Sequence, residues 1–182
     1  MKQELSDITF IGFDTETTGK YPLDAEICEI AAVKYKDGKV IDEYQSLVRP
    51  RKPMSSEVIN IHGITNEMVK DERVIEDVIG SFHEFIQGGI LVAHHAPFDL
   101  GFISIEFEKN KLEFPEVPTI CSSKLSRQVI KDAPNHKLQT LIPHLGIKQG
   151  KAHRALDDAK ACLDLALICF ERGNLTTLES IL

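Results

Sequence analysis

The acidic residues Asp14 and Glu16 stand at the end of an apolar run that begins at Ile8. Side chains alternate along a strand, so residues two apart project from the same face, with Cα atoms roughly 6.5–7 Å apart. Two like charges at the rim of a core repel each other unless a cation lies between them, and carboxylate oxygens suit Mg²⁺ or Mn²⁺. The pair therefore predicts one side of a divalent-metal site. The alternative is a strand that runs out into a polar Thr-Gly turn.

A third acidic residue, Asp99, follows a short apolar run at 90–93. Pro97 favours the start of a helix here, which places Asp99 in its first turn. The helix dipole stabilises a carboxylate there by about 0.3–1 kcal/mol, so the segment has a purely structural explanation. It equally offers a further ligand for the same cation.

Two adjacent aspartates, Asp157 and Asp158, fall in a predicted helix near the C-terminus. At about 100° per residue, Asp157 shares its face with Asp164, which is typical of a solvated face. Asp158 shares its side with Ala155 and Cys162, beside a predicted core face that begins at Leu156. An acid beside the core is costly unless it is paired, so we expect Asp158 to point inward to a cation and Asp157 to lie in water.

His153 precedes this helix, just after Gly150 and Lys151. An imidazole has a pKa near neutrality, which makes His153 a natural general base for a water molecule beside a metal. The alternative is an ordinary surface histidine.

The sequence predicts the elements that position these residues: three consecutive strands come first, and strands that alternate with helices follow. An Asp37-Gly38 step between two apolar runs predicts a hairpin, and the first run adds a third antiparallel strand. Further strands are expected at 90–93 and 119–121, with helices at 74–86, 97–109, 122–130, 137–145, 153–172 and 174–182. This order indicates an α/β domain with a mixed sheet.

Length and composition limit the class of protein. With 182 residues, 42% of them hydrophobic, the chain fits one domain spanning residues 1–182. A net charge of −7 opposes a broad basic surface for duplex nucleic acid, but not a protein that holds a strand end through metal ions. The four cysteines lack zinc-site spacing and are expected to be reduced core thiols. The start has no signal-like segment and no long apolar run exists, so we expect a soluble, cytoplasmic protein without membrane contact.

Three segments together resemble the motifs of the DEDDh exonucleases. They are Asp-Thr-Glu-Thr-Thr-Gly at 14–19, His-His-Ala-Pro-Phe-Asp at 94–99, and His153 with Asp158 five residues later. The order, the spacing and the His-Gly-Ile-Thr segment at 62–65 also fit, and the likeness is greatest to the proofreading epsilon subunits of bacterial DNA polymerase III. Each motif alone is weak, but the ordered set covers nearly the whole chain.

The resemblance implies an RNase H-like fold, with a mixed five-stranded sheet that contains three antiparallel hairpin strands and is flanked by helices. It implies that two Mg²⁺ or Mn²⁺ ions are bound by four carboxylates, with His153 as the base; the four are Asp14, Glu16, Asp99 and Asp158. Two such ions about 3.5–4 Å apart can activate a water molecule and stabilise a leaving 3′ oxygen. The implied activity is a 3′-to-5′ exonuclease that releases 5′ mononucleotides.

Substrate contacts are also implied by the resemblance. Thr15 and Glu16 would contact the terminal 3′ hydroxyl, and His62 and His153 would border the last nucleotide. Phe98 is expected to be a core residue rather than a stacking platform.

The second motif departs from the family at one position. The family usually has Asn where this chain has His95, and Asn is a far better helix cap than His. We therefore expect altered hydrogen bonding before Asp99, with Asp99 itself unaffected.

Three functions remain open. The first is an exonuclease on single-stranded or frayed DNA 3′ ends, in proofreading or repair. The second is the same chemistry on RNA or short oligoribonucleotides. The third is a structural module that binds a polymerase, which the five filled catalytic positions oppose. The chain ends soon after the catalytic helix, which favours a free-standing enzyme, or one docked on a polymerase through its own surface.

Overall fold

A mixed five-stranded sheet forms the centre of the computed structural model, which describes residues 4–181. Its strands are β1 (Phe10–Thr17), β2 (Ile27–Lys36), β3 (Lys39–Leu47), β4 (Ile90–Ala93) and β5 (Thr119–Cys121). In the order β3-β2-β1-β4-β5, the first three pair antiparallel, whereas β1, β4 and β5 are parallel. The predicted fold class and the three antiparallel strands are confirmed.

The hairpin between β2 and β3 turns on Asp37 and Gly38. Both residues have a positive φ, 52° and 78°, and Lys36 pairs with Lys39 across a two-residue loop. A positive φ at both central positions matches the twist of the flanking strands, and Gly38 adopts it without a steric penalty.

Eight helices of the described residues surround the sheet. They are α1 (Ser56–His62), α2 (Asn66–Val69), α3 (Ile75–Phe85), α4 (Ala96–Lys109), α5 (Ser122–Val129), α6 (Leu138–Leu145), α7 (Ala155–Arg172) and α8 (Leu178–Ile181). Helices α3 and α4 share a buried cluster with Ile11 and Phe13, while α5, α6 and α7 pack on the other face with Phe10 and Val92. The predicted helices therefore cover both faces of the sheet.

Helix α7 lies unusually close to β1 because Gly12 has no side chain. A Cβ on Gly12 would come within 2.6 Å of the Ala159 carbonyl oxygen and 2.9 Å of Leu163 Cβ. These contacts are too short for any real side chain, so the glycine lets α7 approach the strand that carries Asp14 and Glu16.

The prediction of a C-terminal helix over 174–182 is wrong in length, since the helix is shorter than expected. Leu182 lies outside the described residues. Asn174 has a φ of 51°, which ends the helical path, and the Leu5 amide donates to the Thr176 carbonyl at 3.0 Å. Pairing with the N-terminal segment keeps 174–177 non-helical, so only Leu178–Ile181 is helical. Between residues 4 and 181, no helix combines the length and apolar character needed to cross a bilayer.

Candidate active site

All five residues with a predicted catalytic role line one cleft of about 580 Å³ at the carboxyl end of β1. They are Asp14, Glu16, Asp99, His153 and Asp158. The parallel strands β1 and β4 end at the same edge of the sheet, so the last residues of β1 meet the first turn of the helix that follows β4. Asp14 and Glu16 alternate with Thr15, which points them to the α7 side of β1.

Asp99 reaches the cleft from the first turn of α4. Its side chain is 3% exposed, and Oδ1 accepts hydrogen bonds from the Thr15 amide at 3.0 Å and the Thr15 hydroxyl at 2.8 Å. In this structure both Thr15 donors are therefore directed to Asp99, and their effect is to fix the orientation of the carboxylate. The expected contact of Thr15 with substrate stays a prediction.

Asp158 points inward, as its helix face predicts. It is 5% exposed, and its oxygens accept from the Gln139 amide and from the His153 backbone N–H, each at 3.1 Å, and also from the Gln149 amide. Nothing in the sequence marks Gln139 or Gln149, since they become neighbours of Asp158 only through the tertiary fold.

Asp157 is not free in water, contrary to expectation. It is half-buried and accepts a hydrogen bond from the Lys151 N–H at 2.7 Å, which ties down the loop before α7. The expected core face is also shifted, because Ala155 and Cys162 are almost fully buried whereas Leu156 is only half-buried. Small residues let α7 lie flat on the sheet, and Asp158 belongs to that face.

His153 stands beside the carboxylates at the start of α7. One ligand atom from each of Glu16, His153 and Asp158 lies within 4.8 Å of the others. The His153 backbone has a φ of 56°, in the left-handed region that residues other than glycine seldom occupy. Such a conformation persists only where surrounding contacts hold it.

Burial raises the pKa of all four carboxyl groups with a predicted catalytic role. Desolvation is the largest cause at each, and it raises the pKa of Glu16 to about 8 and that of Asp158 to about 6. The pKa values of Asp14 and Asp99 are raised in the same way, and at Asp14 the charges of Asp99 and Glu16 add to the effect. Four oxygen donors that repel one another are the donor set that hard divalent cations bind, so the residues present fit such ions.

Glu29 and Arg154 form a buried ion pair next to the cleft that sequence reasoning missed. Glu29 pairs with Glu16 across β1 and β2 and is 0% exposed. Burial would raise the pKa of Glu29, but hydrogen bonds from Arg154 and from the Ala155 N–H hold it below its usual value. The sequence did contain a signal for this ion pair. Glu29 lies inside the apolar run 27–33, and a charge buried in such a run requires a partner.

His94 connects three segments around the cleft through hydrogen bonds. It is 7% exposed, its Nε2 lies 2.9 Å from the His136 carbonyl oxygen, and its Nδ1 lies 3.0 Å from the Ser122 hydroxyl. A carbonyl only accepts, so Nε2 carries the proton. Burial lowers the pKa of His94 to about 4, so it is neutral and holds the segment before Gln139.

A second pocket of about 440 Å³ adjoins the cleft and shares Thr15, Glu16 and Phe98 with it. Phe98 is 37% exposed, so the expectation of a core residue is wrong. His62 lines this pocket, but the residue is only 3% exposed; Nδ1 accepts from the Ile64 N–H at 3.0 Å and Nε2 lies 3.7 Å from the Cys28 sulfur. The expected contact of His62 with a nucleotide remains a prediction.

The remaining expectations concern His95 and the cysteines. His95 is the N-cap of α4 and is exposed, and its side chain makes no capping hydrogen bond, as expected. The four cysteines are free thiols; the expectation of core thiols is confirmed for Cys28, Cys162 and Cys169, whereas Cys121 is only half-buried.

Comparison with known proteins places this architecture among nucleases. A family model described as exonuclease matches residues 11–166. DNA polymerase III PolC-type from Caldanaerobacter subterraneus subsp. tengcongensis is 40% identical over 172 residues, and that from Bacillus subtilis is 38% identical over 164 residues. These matches cover 94% and 90% of this chain, which spans only 12% and 11% of the two relatives.

Solved structures show the same fold. Exonuclease X in complex with 5′ overhanging duplex DNA is 30% identical with a TM-score of 0.74, and the match covers 95% of this chain and 96% of that one. E. coli exonuclease I bound to single-stranded DNA has a TM-score of 0.82 at 17% identity, over 93% of this chain and 42% of that one. The second likeness concerns the fold alone.

Proposed function

We propose that this chain, which belongs to the exonuclease family, is a metal-dependent 3′-to-5′ exonuclease that acts on single-stranded or frayed DNA ends. The observation that carries the proposal is the convergence of the four carboxylates and His153 on one cleft. Residues 1–182 would act as a single exonuclease domain.

The four carboxylates would hold two Mg²⁺ or Mn²⁺ ions, the ions that the resemblance implies. Bound there, such ions supply electrophilic stabilisation of the scissile phosphate and of the departing oxygen. Asp99 and Asp158 are already oriented for this task by hydrogen bonds from Thr15, Gln139 and the His153 N–H. This preorganisation supports the proposed role, because donors that are already oriented lower the cost of binding a charged transition state.

His153 would act as the general base. Its ring nitrogen lies within 4.8 Å of oxygens of Glu16 and Asp158, and this proximity supports a role beside the attacking water. As the water oxygen bonds to phosphorus, its proton passes to His153, and the bond from phosphorus to the 3′ oxygen of the preceding nucleotide breaks. The last nucleotide leaves as a 5′ monophosphate, and the departing 3′ oxygen takes a proton from solvent, so that the shortened strand ends in a 3′ hydroxyl.

The adjoining 440 Å³ pocket would receive the terminal nucleoside. Its lining includes Thr15, Glu16, His62 and Phe98. Thr15 and Glu16 would then contact the 3′ hydroxyl while the phosphate lies in the acidic cleft. His62 would present ring carbons to the nucleotide, since both of its nitrogens have partners inside the protein.

DNA is the proposed polymer, and proofreading or repair the proposed context. The support is that curated relatives are DNA polymerase III PolC-type proteins and that exonuclease X was solved with duplex DNA. A polymerase is accordingly a proposed partner.

The test uses one oligonucleotide labelled at its 5′ end or its 3′ end, made as DNA and as RNA. With Mg²⁺ or Mn²⁺, the 3′-labelled DNA should release labelled mononucleotide at once, while the 5′-labelled DNA shortens stepwise. EDTA should stop both reactions. Immediate mononucleotide release from the 5′ label would overturn the polarity, activity in EDTA would remove the metal, and a preference for RNA would change the substrate.

A further inference from the structure

The buried carboxylate of Glu29 accepts most of its hydrogen bonds from Arg154 and Ala155, the two residues that follow His153, and one from Gln45 of β3. Arg154 donates from Nη2 to Oε1 at 2.7 Å and from Nε to Oε2 at 3.0 Å. The Ala155 N–H donates to Oε2 at 3.0 Å, and the Gln45 amide donates to Oε1 at 2.8 Å. Ala155 N–H is one of the free donors at the start of α7, so Glu29 caps this helix from a neighbouring strand.

The backbone at His153 requires such support. Its φ of 56° is strained for a residue with a side chain, and the chain would relax from it if the flanking residues could move. Asp158 holds the His153 N–H, and Glu29 holds the next two residues along the chain. A planar guanidinium gripped at two nitrogens has a fixed orientation, which a single contact would not give.

We propose that Glu29, acting through Arg154, is a positioning residue that keeps His153 in its left-handed conformation and its imidazole at the cleft. This rests on the proposed role of His153 as the base. Glu29 is fully buried and its oxygens are engaged by the protein, so it supports the reaction without touching substrate.

The kinetic test is a double-mutant cycle of Glu29→Gln with His153→Ala. Glu29→Gln should lower kcat about 10–100-fold, the usual loss for a residue that orients a catalytic group, with KM within about twofold. In the His153→Ala background it should cause no further loss, because the group that it positions is gone. An equal loss in both backgrounds, or no loss in the wild-type background, would overturn the proposal.

Two further variants separate positioning from folding. Glu43 of β3 forms an ion pair with Lys160 of α7 at 2.7 Å. Glu43→Gln therefore removes a contact to α7 away from the cleft and should leave kcat unchanged. If Glu29→Gln fails to fold because Arg154 is left unpaired, the double variant Glu29→Gln with Arg154→Met avoids the uncompensated charge. It should show the same loss of kcat, and a wild-type kcat would overturn the proposal.

Limited trypsin digestion of metal-free protein provides a readout independent of activity. Trypsin cuts after arginine, and Arg154 is held by Glu29 in the folded chain. Cleavage after Arg154 should be slow in the wild type and in Glu43→Gln, and at least several-fold faster in Glu29→Gln. Equal cleavage rates in all three proteins would contradict the role proposed for Glu29. The absence of exonuclease activity in the wild type would instead refute the proposed function, so the two failures can be told apart.

Discussion

Metal-free protein is expected to lose stability as the pH rises from 6.5 to 8, and a divalent cation is expected to reverse that loss. Glu16 is 9% exposed, and burial with the nearby carboxylates raises its pKa from 4.5 to about 8. A carboxyl group whose pKa rises on folding favours the folded state while it is protonated. Its contribution is therefore complete below pH 4.5 and is lost as the pH rises through 8.

The pH window is chosen to exclude His94, which has the opposite dependence. Its pKa falls from 6.5 to about 4 on folding, so between those values it makes the protein more stable as the pH rises and masks Glu16. As the pH rises above 6.5, the unfolded imidazole also loses its proton and the opposing contribution of His94 fades. One pKa unit corresponds to about 1.4 kcal/mol, so the interval from 6.5 to 8 should remove about 2 kcal/mol through Glu16. For a chain of this size that is a fall of about 4–8 °C in Tm.

The assay is denaturant unfolding at both pH values, in EDTA and in millimolar Mn²⁺. Wild-type protein in EDTA should lose at least about 2 kcal/mol of unfolding free energy, since the raised pKa of Asp14 acts in the same direction. Mn²⁺ should abolish the loss, and Glu16→Gln in EDTA should lose less than the wild type. Glu43→Gln, on the surface, should behave as the wild type. A metal-free stability that is flat or rises over this window would refute the account of the cleft as a set of crowded carboxylates.

Three further predictions concern the geometry of the cleft. Asp158→Asn should reduce nucleotide release by about 100-fold or more, while Asp157→Asn, which can still accept from the Lys151 N–H, should stay within about threefold; equal losses in a single-turnover assay would contradict the assignment. His95→Asn should gain a capping hydrogen bond and raise Tm by a few degrees with little change in rate, and a many-fold change in rate would show that His95 does more than cap α4. Gly12→Ala should destabilise the protein by about 1–3 kcal/mol in urea unfolding, because its Cβ meets the Ala159 carbonyl and pushes α7 from β1; a wild-type midpoint would refute the close-packing argument.

Local patterns were sufficient to predict much of the fold and of the cleft. The Asp37-Gly38 hairpin, the strand at 90–93 and the inward face of Asp158 follow from backbone preferences and periodicity, and each is confirmed. Hydrogen bonds between distant segments, such as those from Gln139 and Gln149 to Asp158, leave no local pattern. The C-terminal helix was overestimated for the same reason, since pairing with the N-terminal segment overrides local helical preference.

The central claim is that the four carboxylates form one divalent-metal site. Calorimetric titration of Mn²⁺ into the chain, with a 5′ mononucleotide present, tests it most directly. The wild type should bind two ions per chain, Asp157→Asn should do the same, and Asp14→Asn should bind fewer ions or bind them at least about tenfold more weakly. Binding by Asp14→Asn with wild-type stoichiometry and affinity would contradict the claim.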